Sequence, residues 1–490
     1  MNAMSLRTSS LSHALLGWAV TASLAVPALS QDLVAIKAGK ILPVIGPVIE
    51  NGVVLLVNGR IKKIAKASEV EIPWAAKVID ASGKVVMPTW VVAHSQGGQR
   101  GFFNENMQNV PWLSVADAID PASVYFEDAL RSGIGTIHVL PGNQTLLGGQ
   151  GMVVRPFGRT VEDMAVASNT GMKLSLQAAN GSRLQQIRKL RRALADIREY
   201  LVDYDRRKAE FDKEKAAGAI PADKKWTEEI DRQKKGACEL VQKKGKGWLY
   251  VPSFAEVDEA LRLTQELDLT CVLGPNIDEA ISLLKKLGKP VVLDETLEYF
   301  EVDEETQKEK KLCSAKLLAD AAVPFALTLG QSGPTSHAWW QLGTCVRNGV
   351  DRQLAIEALT MVPAKLLGLD SQIGSLTEGK LGNLQILSGD PLQATSWVET
   401  VVLEGQIIYE RSKDPRLQFL FAEEANKAKK AAGPDKTEPM PAPTGDKPVQ
   451  VGKPEAKPAA GAPNEAVPPK ETPKETPKAD PPKAPALEVR

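Results

Sequence analysis

"VVMPTWVVAHSQGG" occupies residues 85–98 and decides how the chain around it is read. An apolar run passes Met87-Pro88, resumes at Val91-Val92 and stops at His94, Ser95 and Gln96. Such a run reads as a buried strand. A histidine at the end of a buried strand is a common first ligand in a metal enzyme. A second would be expected two residues on, where Gln96 stands.

Upstream, residues 32–88 read as short strands, "LVAIKAGKILPVI", "GVVLLVNGRIKKIAK" and "KVIDASGKVVMP", with Asn58-Gly59 as a hairpin signal. Downstream the texture changes. The helix-like "ASVYFEDALRS" is followed by "GIGTIHVLPG", and "GWLYVP" precedes "FAEVDEALRLTQEL". "LTCVL" precedes "NIDEAISLLKKLG", and "KPVVLD" and "VPFALTLG" follow. Strands alternating with helices over residues 89–369 predict an α/β fold, a parallel barrel. Residues 183–246 are helix-forming and highly charged, and read as a solvated helical excursion from that barrel. Residues 370–413 return to strands ("NLQILSG", "VETVVLEGQIIYE").

The ends differ from the middle. Residues 1–30 combine Arg7, an apolar stretch of modest length and small Ala28 and Ser30 before Gln31, the pattern of a secretory signal peptide. A periplasmic or extracellular location is therefore expected. Residues 424–490 are rich in Pro, Ala, Lys and Glu without an aromatic residue, and are expected to be a disordered tail. The 60 basic and 60 acidic residues balance, so no nucleic-acid partner is expected. Cys238, Cys271, Cys313 and Cys345 are widely spaced with no CxxC, and are expected as buried thiols, with a disulfide or two open to an exported chain.

Several stretches, in order, resemble the amidohydrolase superfamily, in particular its imidazolonepropionase-like members. "KVIDASGKVVMPTWVVAHSQ" is similar to the family's "IDasGkvvmPGliDaHtH". "GTIHVLPGNQTLLGGQGMVV", "GMKLSLQ", "ALTMVPAKLLGL", "IGSLTEGKLGNLQILSGDPL" and "VETVVLEGQIIYE" continue the likeness to Tyr409. The resemblance implies a (β/α)8 TIM-like barrel whose flanking segments, residues 32–88 and 370–413, meet in a small β-sandwich. It also implies hydrolysis of non-peptide C–N bonds by water activated on a divalent metal such as Zn²⁺, with an aspartate moving the proton.

That chemistry would need an HxH pair, a histidine from each of two later strands and a final aspartate. With His13 in the leader, only His94, His138 and His337 are available. His94 matches the first HxH position, and Gln96 the second. The later histidines fall at Tyr250 and Gly274, and the aspartate at Gln331, or at Gly330 one register away. Even the glycine after Met-Pro is Thr89. No cofactor is therefore expected. His94 with Asp294 or Glu295 could form a weak mononuclear site, but the amides of Gln96 and Gln331 are poor zinc ligands. Lys173 matches the bridging carboxylated lysine of some amidohydrolases; with so few partner ligands, a structural lysine is the expectation.

His138 admits two readings, a group at the barrel mouth or a hydrogen-bonded core residue. His337 suits a helix cap or surface role, Trp339 and Trp340 suit aromatic packing or a pocket wall, and Asp370 suits a turn. No nucleophile elbow, P-loop or dinucleotide fingerprint is present in the sequence. The expected protein is an exported amidohydrolase homologue that is inactive or altered. It would bind through its pocket, or pair with an active relative or with itself. The alternatives are an active hydrolase with a metal-free centre around His94, and an envelope protein acting through its tail.

Overall fold

The computed structural model describes residues 32–100, 107–178, 182–302, 306–331 and 333–432. The expected leader and the tail beyond residue 432 lie outside the described residues.

Val- and Ile-rich strands at the two ends of the chain form one seven-stranded sheet. Across it run Gln406–Glu410, Val398–Leu403, Leu384–Leu387, Lys77–Pro88, Leu33–Ile41, Ile49–Val57 and Arg60–Lys66. The joint is the long strand Lys77–Pro88. One edge pairs in parallel with Leu33–Ile41, and the other pairs antiparallel with Leu384–Leu387, Pro88 facing Leu384. Its buried face gathers Ile36, Ile41, Leu56, Val86, Leu384 and Val402. Val57 meets Arg60 across Asn58-Gly59, with φ of 49° and 76° at the turn, the left-handed pair that a two-residue hairpin needs. A matching turn at Glu404-Gly405 packs against it, where a Cβ on Gly59 would lie 2.5 Å from the Glu404 carbonyl oxygen.

Only Thr89 separates this sheet from the first barrel strand. The barrel strands are β1 (Trp90–Ser95), β2 (Ile134–Val139), β3 (Leu147–Val154), β4 (Ala165–Ser175), β5 (Gly247–Val251), β6 (Leu269–Leu273), β7 (Val291–Leu293) and β8 (Phe325–Ala326), adjacent in that order. The expectation of uniformly parallel strands fails at one place, because β3 runs antiparallel to both β2 and β4. The connection over residues 140–146 is too short for a crossover, which needs about a dozen residues, so the chain turns back as a hairpin. β1 and β8 do not pair with each other. Residues 358–359 bridge them instead: Val91 N–H donates to the Leu359 carbonyl at 2.9 Å, and Leu327 N–H to that of Ala358 at 2.8 Å. The motif "ALTMVPAKLLGL" thus closes the seam of the barrel.

Two segments differ from expectation. The helix Arg183–Ala216 opens the charged region, yet its first half is not an excursion. Leu190, Leu194, Ile197 and Leu201 recur at helical spacing and are buried in the main core. Leu201 is the last buried residue of the helix, and Val202 beside it is 71% accessible. The last helix, Pro415–Ala432, runs past the expected start of disorder at residue 424. "EEANKAKKAA" (423–432) consists almost wholly of strong helix formers. The start of that helix is tied down by Arg131 Nε, 2.6 Å from the buried Asp414 carboxylate. No helix among the described residues is long and apolar enough to cross a membrane. All four cysteines are free and buried.

Gly59 and Gly218 share a φ of 76°, but a Cβ at Gly218 would meet nothing within 4 Å. Both alanine variants should lose about 1–2 kcal/mol to the left-handed backbone. Gly59→Ala should lose at least about 1 kcal/mol more for the collision. Urea unfolding of the two variants measures the difference.

Candidate active site at the barrel mouth

His94 owes its position to a break in strand register. Val92 faces Ile137 and Ser95 faces Val139, so three steps on β1 oppose two on β2. This is a β-bulge at Ala93-His94, a device that re-aims side chains. Ser95 is turned toward the helix Val124–Arg131, where its Oγ lies 2.7 Å from the Tyr125 hydroxyl. Burial pushes that phenol up to about 12. His94 is left facing the barrel mouth.

There the C-terminal ends of the strands enclose a cavity of about 300 Å³. Its wall is formed by His94 near the end of β1 and Gln96 just after it, Asn143 after β2, Asp294 and Glu295 after β7, and Thr328, Gly330 and Gln331 after β8. Two further side chains stand behind the wall. Lys173 Nζ, on β4 and wholly buried, lies 2.9 Å from His94 Nε2 and 5.5 Å from the centre of the Tyr250 ring. The Tyr250 hydroxyl, from β5, donates to Asp294 Oδ2 at 3.3 Å. His94, Lys173, Tyr250 and Asp294 thus form one continuous contact chain across the barrel.

The electrostatics fix the state of the histidines. Burial holds His94 well below the usual imidazole range, and the Lys173 charge lowers it further. A neutral imidazole has one lone pair and one N–H. With the Lys173 charge beside Nε2, that nitrogen accepts and Nδ1 carries the proton. Nδ1 and the nearby Asn143 Oδ1 both lack a hydrogen-bond partner, although Asn143 slightly offsets the depression of the His94 pKa. Burial, and then the Asp294 charge, raise the Tyr250 phenol, which stays protonated.

Six of the seven candidates read from the sequence are thereby brought together: His94, Gln96, Lys173, Tyr250, Asp294 and Gln331. His138 is the exception. It is wholly buried, with Nδ1 2.9 Å from the Ala93 carbonyl oxygen and Nε2 2.7 Å from the Thr170 hydroxyl, and its ring packs on Trp248. Gly274 does not line the cavity, and a Cβ there would lie 2.4 Å from the Pro252 carbonyl oxygen, so close strand-end packing alone favours glycine. His337 is the N-cap residue of the helix Ala338–Arg347, but its side chain makes no cap bond. It stacks with Trp339 beside a separate hollow lined by Trp397 and Arg411. Asn143 and Thr328 were missed by the sequence reading. The available signal was their place, polar residues shortly after apolar strand runs.

Burial pulls the His138 pKa down to about 3. The unfolded chain binds that proton near pH 6.5 and the folded chain does not, so this contribution is complete above about 6.5 and falls away below it. Each pH unit between about 6.5 and 3 should cost about 1.4 kcal/mol through this residue. In an imidazole NMR titration, His138 should stay neutral to about pH 4 while the fold persists; a midpoint near 6 would contradict the buried bonding.

A sequence model of the amidohydrolase family matches residues 339–408. No curated protein matches the chain in sequence. Among solved structures, an amidohydrolase from Thermotoga maritima is 24% identical with a TM-score of 0.66, over 77% of this chain and 100% of that one. Molinate hydrolase is 17% identical with a TM-score of 0.47, over 77% of this chain and 95% of that one, and carries no weight here. With the family match in its C-terminal part and the shared architecture over most of its length, this chain has the fold of the amidohydrolase superfamily.

Proposed function

We propose that this protein uses the amidohydrolase fold for a binding site that works without the family's metal-activated water. One observation carries the reading. The lone pair of the neutral His94 imidazole points at Lys173 Nζ, 2.9 Å away, so neither ring nitrogen is left to hold a metal. A divalent ion at Nε2 would also stand against the Lys173 charge. Gln96, Tyr250 and Gln331 supply amide and phenol groups, which suit zinc poorly. Among the described residues, no three His, Cys, Asp or Glu side chains come together in a metal-holding group. The residues present do not fit the metal that the fold family implies.

The second reading is a metal-free hydrolase. Asp294 and Glu295 favour it, since they line the same cavity and are carboxylates able to take a proton from water. Turnover of lactams, hydantoins or dipeptides that resists chelators and is lost in Asp294→Asn would select it.

The proposal extends to location and partners. The leader read at residues 1–30 exports the chain, the tail contacts the cell envelope, and the barrel associates with itself or with an active relative. Cell fractionation with N-terminal sequencing of the mature protein, and sedimentation of the purified chain, test these points.

Elemental analysis of the purified full-length protein decides the main reading. It should hold less than about 0.1 transition metal per chain, and added Zn²⁺ should not raise its melting temperature. Stoichiometric Zn, Fe or Mn would overturn it.

A further inference from the structure

A second hollow, of about 290 Å³, shares no lining residue with the mouth cavity. Remote parts of the chain meet there. Trp90 opens β1, Ser132 follows the helix Val124–Arg131, Trp339 lies in the first turn of the helix Ala338–Arg347, and Trp397 and Arg411 come from the C-terminal sheet segment. The walls are largely indole and aliphatic. Trp90 is buried, Trp339 is half-buried with its ring stacked on His337, and Trp397 is 46% accessible. A bound ring would cover indole surface that now faces water.

Charge sets the sign of the occupant. Two guanidinium groups line the hollow, and no carboxylate does among the described residues. Arg131 is already engaged, with Nε 2.6 Å from Asp414 and another nitrogen 2.7 Å from Asp128. Arg411 is not. Its guanidinium lies 5.0 Å from the centre of the Trp397 ring, and it forms no ion pair or side-chain hydrogen bond among the described residues. The acidic residues nearest to it in sequence are held by other cations, Glu410 by Lys413 and Asp414 by Arg131. A guanidinium stacked on an indole keeps the N–H groups at its edge for a planar, two-oxygen acceptor. The Ser132 and Ser396 hydroxyls stand on the same wall and add donors.

We propose that this hollow binds a small aromatic carboxylate. Its ring lies against Trp339 and Trp397, and its carboxylate meets Arg411. An inorganic anion would satisfy Arg411 and leave the indoles bare, whereas a neutral ring would leave the guanidinium unpaired. The site is separate from the barrel mouth and does not depend on whether the mouth holds a metal.

Titration calorimetry on the full chain tests it with three probes. These are indole-3-acetate, indole-3-acetamide as a neutral molecule of the same shape, and acetate as the anion without a ring. Indole-3-acetate should bind at or below about 1 mM, the amide at least about tenfold more weakly, and acetate not at all at about 10 mM. This comparison is made on the unaltered chain and does not depend on how variants fold. Arg411→Gln should bring the acid to the level of the amide, and Trp397→Leu should weaken both, each variant being checked for an unchanged melting temperature. Equal binding of acid and amide, acetate binding as well as the acid, no binding of the acid at about 10 mM, or unchanged binding in Arg411→Gln would overturn the proposal. So would a dimer in sedimentation that Arg411→Gln breaks and indole-3-acetate leaves intact, because a second copy would then fill the hollow.

Discussion

A neutral imidazole has a single lone pair, and here Lys173 faces it. The rest of the mouth is arranged around that contact. A wholly buried lysine is costly unless polar groups receive it. His94 receives it because a bulge turns His94 inward, and the Tyr250 ring covers the other side. With Nε2 engaged, the buried Nδ1 proton is left to face Asn143. The chemistry of the mouth thus follows from one buried cation placed by β4.

His138 shows the same economy on the structural side. Its two nitrogens join the Ala93 carbonyl of β1 to the Thr170 hydroxyl of β4. The Trp248 indole, packed on its ring, donates to the Thr170 carbonyl at 3.1 Å. β3 runs against its neighbours between β2 and β4, and this cluster spans the irregular arc from inside.

Much of the fold was legible because it rests on local signals. Asn58-Gly59 announces its turn, strand runs mark both ends of the chain, and the mouth residues follow strand ends. Direction was not legible. "GTIHVLPG" and "LLGGQGMVV" are equally apolar whichever way they run, and only the short link between them shows the reversal. The bulge at Ala93-His94 depends on pairing with a strand some forty residues away, and periodicity does not carry such information. The Lys173–His94 contact spans 79 residues, so Lys173 could be read as a family position or a structural lysine, but its partner could not be named. In the last helix, composition was read as disorder, although the residues before Gly433 are individually helix-forming.

The strand Lys77–Pro88 makes the order of synthesis matter. It leads straight into β1, yet the edge at Met87 is completed only by Gln385, which leaves the ribosome some three hundred residues later. Every barrel strand is made in that interval. The nascent chain therefore carries an open, Val-rich sheet edge beside a growing barrel, and such an edge invites wrong pairing. Contacts of such long sequence separation also form slowly. Completion of the sheet is a late event that can follow only once every barrel strand has been made.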